Sequence, residues 1–119
     1  MNEDIKEKMK DLSFGICPLM TAQKVLSEKW ALIILWLLSE KTMRFNELQR
    51  WLSDITQATL AKQLRTMEDN GLVIRTVYSQ IPPKVEYSLS ELGKEFVLVL
   101  EKLEGFGYKY IEHLENKKD

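Results

Sequence analysis

The chain has 119 residues, 45% apolar and 29% charged, enough for one domain around one core and too apolar for a disordered tail. Its net charge of −1 gives no overall basic bias, and a single cysteine and a single histidine exclude an internal disulfide and any Cys-rich zinc site. The longest apolar run, Trp30–Leu38, is nine residues against the roughly 18 of a membrane span, and the charged N-terminus lacks a signal-like apolar stretch, so a cytoplasmic location is expected.

Residues 1–15 are polar, end at Phe14-Gly15 and predict a frayed or helical N-terminal arm; residues 16–119 form the domain proper. Cys17-Pro18 opens a short helix over about Leu19–Leu26, with proline where its missing N–H costs little. Ser27 is a good N-cap for Glu28–Ser39, a segment apolar nearly all round and therefore expected to be a core helix buried on several sides. Glu40–Arg44 is too short for a helix and reads as a connector with one short strand. Apolar residues at Phe45, Leu48, Trp51 and Leu52 predict a helix of about two turns, and Ser53-Asp54 a turn. Thr56 then caps a longer helix that stops at Asn70-Gly71. Leu72–Tyr78 and Lys84–Leu89 alternate as strands and, joined by Ser79–Pro83, make a projecting hairpin. Ser90 caps the final helix, which Gly105 and Gly107 are expected to bend or interrupt. The fold class is mainly α with a small β-hairpin wing (α+β), in the element order of a winged helix-turn-helix.

Charge is distributed unevenly. From Lys41 to Lys84 there are seven basic and four acidic residues, whereas the flanks hold ten basic and fourteen acidic ones. A basic middle of this kind suits phosphates, although a mixed solvated surface also produces it. If Leu60, Leu64 and Met67 face the core, helical spacing turns Ala58, Lys62, Arg65 and Asp69 outward. That stripe, led by Thr56, Gln57, Ala58 and Thr59, is small, polar and cationic, as a helix in a major groove about 12 Å wide requires. Gln57 has the geometry to pair with adenine, Ala58 and the Thr59 methyl to touch thymine methyls, and Lys62 and Arg65 to reach guanine or phosphate. Arg44 begins the turn unit and is free to contact phosphate or to pair with an acid. Arg75, Tyr78, Gln80 and Lys84 lie on or near the wing, placed for an adjacent minor groove.

Cys17-Pro18, Lys29-Trp30, Arg44-Phe45-Asn46-Glu47-Leu48, the block Leu64–Leu72, the block Pro83–Leu89 and Gly93 resemble the HxlR-type transcription regulators, bacterial winged helix-turn-helix proteins related to the MarR group. The resemblance spans about residues 16–110. It implies a homodimer that binds a palindromic operator in double-stranded DNA. Departures from the usual pattern occur at Glu28 (commonly Gly), Asp54 (commonly Gly), Ser90 (commonly Thr) and Phe106 (commonly Trp). In some members the cysteine before this proline senses oxidants or electrophiles, which makes Cys17 the redox-sensing candidate; the other reading of a lone cysteine is a small buried hydrophobe. A dimer interface is expected on the last helix, from Phe96, Val99, Leu100, Leu103, Phe106, Tyr110, Ile111 and Leu114, more apolar residues than one small core needs. Leu19 and Met20 are the second candidate patch.

His113 has no second ligand beside it, and no nucleophile set or phosphate loop is present, so neither an enzyme nor a bound metal or cofactor is expected. Two alternatives stay open. One is a winged helix turned protein-interaction module; the other is a regulator gated by a small-molecule effector in a pocket near Trp30, Trp36 or Phe96.

Overall fold

A computed structural model describes residues 3–118, and its elements follow the expected order with four local differences. Helix α1 (Glu3–Lys8) lies in the arm, and α2 (Pro18–Val25) carries Pro18 in its first turn. Ser27 does not cap the next helix. Its hydroxyl reaches back to donate to the Lys24 carbonyl at 2.8 Å, residues 28–30 bend and turn, and α3 (Ala31–Glu40) starts three residues later than predicted.

The core is built on α3, but on part of it only. Ala31, Ile34, Leu35 and Leu38 are buried, whereas Leu32, Ile33 and Trp36 remain between 39% and 42% exposed. The expectation of burial on several sides therefore fails on one face, where α3 borders an apolar cleft instead of a packed layer. Helix α4 (Phe45–Trp51) and helix α5 (Gln57–Asp69) complete the core with Leu48, Leu52, Ile55, Leu60, Leu64 and Met67.

Thr56 caps α5 as expected: its hydroxyl oxygen accepts the Thr59 N–H at 3.1 Å. The helix ends at Asn70 and Gly71, and Gly71 adopts φ +80°, which glycine enters without a Cβ clash. Strands β1 (Val73–Tyr78) and β2 (Lys84–Leu89) then pair antiparallel, in register from Val73 opposite Leu89 to Tyr78 opposite Lys84. The root of the hairpin is buried and its outer part projects, with Val77 54% exposed. The predicted short strand in the connector is one bridge, in which Met43 and Tyr87 exchange both backbone bonds at 3.0 and 2.8 Å.

The last segment is two helices, α6 (Glu91–Glu95) and α7 (Val97–Lys117), and the break falls at Phe96. Gly105 and Gly107 do not interrupt α7. An added Cβ at either would meet nothing within 4 Å; Gly105 is exposed and Gly107 is half-buried along a cleft, and at both glycine lowers helix propensity without forcing a kink. The radius of gyration, 17.7 Å, exceeds the about 13–14 Å of a compact chain this long. Arm, wing and α7 extend from the core.

Candidate nucleic-acid interface

Helices α4 and α5 with the turn between them form a helix-turn-helix, held by local chemistry. Gln49 on α4 reaches across the turn, its Nε2 donating to the Ile55 carbonyl at 2.6 Å just ahead of the Thr56 cap. Polar patterning did not single out Gln49; its position six residues before Ile55, at a helix-to-helix turn, was the available signal. The Thr56 hydroxyl also donates to Thr59 Oγ1 at 2.9 Å, so both hydroxyls are engaged at the helix start and the Thr59 methyl is the group left for outside contacts.

The two faces of α5 separate by chemistry. Leu60, Leu64 and Met67 are at most 1% exposed, while Gln57, Ala58, Lys62, Arg65 and Asp69 are exposed. Among the described residues, Lys62 and Arg65 form no ion pair. Arg44, at the N-cap position of α4, is exposed and is also without an ion pair among the described residues. Arg75 and Gln80 are exposed on the wing. Lys84 differs from the expectation of a free wing cation: it is half-buried, 5.0 Å over the Tyr78 ring and 3.7 Å from Glu86 Oε2. Cross-strand pairing explains this, because Tyr78 is opposite Lys84 and Glu86 lies two residues along the same strand.

Most interface candidates are open: Leu19 is 81% exposed, Met20 43%, Val99 44%, Leu103 41%, Phe106 63%, Tyr110 51%, Ile111 52% and Leu114 46%. Two of them serve the chain's own core. Leu100 is 7% exposed and belongs to the core cluster, and half-buried Phe96 packs against it, because both lie where α7 leaves the body. Sequence reasoning missed the exposed α3 face. Leu32, Ile33 and Trp36 form one wall of a cleft of about 310 Å³ whose other wall is α7, including Leu103, Tyr108 and Ile111. Of the three aromatics considered for a ligand pocket, only Trp36 lines this cleft; Trp30 and Phe96 pack on the core.

Cys17 is buried at 9% exposure, in the wall of a groove whose charged residues, Glu7, Lys8, Lys10 and Asp11, balance in sign. Among the described residues no group of three His, Cys, Asp or Glu side chains is placed to hold a metal, and no helix is long and apolar enough to cross a membrane.

A helix-turn-helix followed by a hairpin wing, with the solvent face of the second helix polar and cationic, defines the winged-helix class of transcriptional regulator. The chain belongs to the HxlR-like helix-turn-helix family, whose model matches residues 25–115. The HTH-type transcriptional regulator YdeP of Bacillus subtilis is 39% identical over 102 residues, covering 86% of this chain and 80% of that protein. Among solved structures, the redox regulator HypR in its reduced form is similar with a TM-score of 0.79 at 37% identity, covering 83% of this chain and 98% of that one. The reduced form of the transcriptional regulator YodB from B. subtilis matches with a TM-score of 0.68 at 32% identity, covering 76% and 89%. The protein is thus a helix-turn-helix transcriptional regulator and not an enzyme.

Proposed function

We propose that the protein acts as a homodimer on a palindromic operator in double-stranded DNA. Each protomer lays α5 in a major groove and directs the wing to the neighbouring minor groove. The observation that carries this is the outer face of α5: Gln57, Ala58, Lys62 and Arg65 are all exposed, and its two cations are unpaired among the described residues. Gln57 and Ala58 in the first turn address base edges, Lys62 and Arg65 guanine or phosphate, and Arg44 and Arg75 the flanking backbone. A second copy covers the apolar side of α7, the exposed patch at Leu19 and Met20 being the second candidate surface, and spaces two half-sites about 34 Å apart.

Lys62→Ala and Arg65→Ala are expected to weaken binding to a duplex selected by the wild-type protein from a random pool. Each should also reduce the slope of log affinity against log salt by about 1, because one fewer counterion is released. Wild-type affinity and slope in both variants would remove α5 from the groove and favour a protein-interaction module.

A redox-gated form of this reading is supported by the likeness to HypR, a redox regulator. With one cysteine per chain, two Cys17 thiols of a dimer would join as a disulfide, giving two protons and two electrons to an oxidant such as diamide or a quinone. Diamide should then shift operator affinity of the wild type and leave Cys17→Ser unchanged. Equal responses of the two proteins contradict gating at this thiol.

A further inference from the structure

One polar residue lies in the core-facing stripe of α5. Gln63, between Leu60, Leu64 and Met67, is 6% exposed. Its Nε2 donates to Glu28 Oε2 at 2.9 Å across 35 residues of chain, while its Oε1 is buried without a partner. Among the described residues, this is the one side-chain to side-chain hydrogen bond joining α5 to another part of the fold. Glu28 sits in the turn between α2 and α3, where its carbonyl accepts the Ala31 N–H at 3.1 Å. Reversing the Gln63 amide would turn an acceptor toward the carboxylate, so the charge-assisted bond admits one orientation.

The apolar residues around Gln63 bury area but do not specify angle, because leucine and methionine contacts survive a small roll of the helix. A directional bond from a buried amide to an anion does not. A roll of about 10° moves the outer surface of a helix, about 5–6 Å from its axis, by about 1 Å, enough to spoil hydrogen bonds to base edges. Resting on the groove-facing role of α5 given above, we propose that Glu28 is a positioning residue for DNA binding: through Gln63 it fixes the roll of α5 and so the aim of Gln57, Lys62 and Arg65.

Charge makes the test decisive, because removing an acid from a DNA-binding protein tightens binding by electrostatics alone. Affinities of folded variants, verified by thermal unfolding, are compared on a duplex selected by the wild-type protein and on a random-sequence duplex of equal length. Glu28→Ala is expected to lose about tenfold on the selected duplex, the scale of one charge-assisted hydrogen bond, and to lose nothing on the random one. Glu28→Gln keeps an acceptor for Gln63 Nε2 and adds a donor for its Oε1, so it retains selected-duplex affinity. Gln63→Leu loses affinity by itself, and adding it to Glu28→Ala costs nothing further. Should Glu28→Ala not fold, Gln63→Leu alone carries the test, with wild-type affinity overturning the proposal. Wild-type or tighter selected-duplex binding by Glu28→Ala, or an equal loss in Glu28→Gln, overturns it while Lys62→Ala stays impaired. If Lys62→Ala and Arg65→Ala also bind as wild type, the groove-facing role itself has failed.

Discussion

On the wing, three side chains share one small electrostatic arrangement. A hydrogen bond from Tyr78 to the Glu86 carboxylate, together with that negative charge, raises the Tyr78 pKa above its ordinary 10.0, and Lys84 spans the same pair. The neutral phenol is the favoured form, so its contribution is complete below the ordinary tyrosine value and is lost as pH climbs through the raised one. A pH titration of the Tyr78 ring by NMR should therefore show a midpoint above that of free tyrosine, brought down by Glu86→Gln; an unchanged midpoint in the variant would remove Glu86 as the cause. At the base of the hairpin the limiting quantity is space. A Cβ on Gly93 would sit 2.3 Å from the Leu72 carbonyl oxygen, a backbone atom unable to retreat as a side chain does. Gly93→Ala is expected to destabilise the domain in urea unfolding by about 1–3 kcal/mol. Gly105→Ala, on open helix surface, should be neutral or stabilising by about 0.4–1 kcal/mol. Similar effects at both positions would contradict the packing argument.

Among the elements, those bounded by local backbone chemistry were legible from the sequence. Thr56 as a cap, Gly71 as a left-handed stop and the hairpin with Ser79–Pro83 at its tip all follow from residue types whose preferences act within a few positions. Ser27 misled because a serine hydroxyl serves either neighbour, closing the helix behind it or capping the one ahead, and here it bonds backward. The faces of α3 misled for another reason. Hydropathy marks Leu32, Ile33 and Trp36 as avoiding water but does not say whether their own chain supplies the cover. Gln63 passed unremarked because its partner, Glu28, is distant in sequence and reached only through the fold. The glycines of α7 show the converse: a residue that weakens an isolated helix does not end one whose neighbours continue it.

For the whole molecule, the elongated shape and the apolar surface have a common origin. Helix α7, 21 residues and about 32 Å long, contributes Leu100 to its own core and leaves a row of large apolar side chains in water. Leu103→Glu, or Phe106→Glu, is expected to shift sedimentation to that of a single chain and to weaken operator binding while the urea transition stays cooperative; dimers at wild-type concentrations would exclude this face. The wing's attachment bears on recognition too. Ser90 donates its hydroxyl to the Gly71 carbonyl at 2.6 Å and its N–H to the Leu72 carbonyl at 3.0 Å, stitching both ends of the hairpin to the stop of α5 and the start of α6. The angle at which the hairpin leaves the body is thus built into the fold by bonds at its root, so in the DNA-binding reading proposed above the wing is aimed before any duplex arrives.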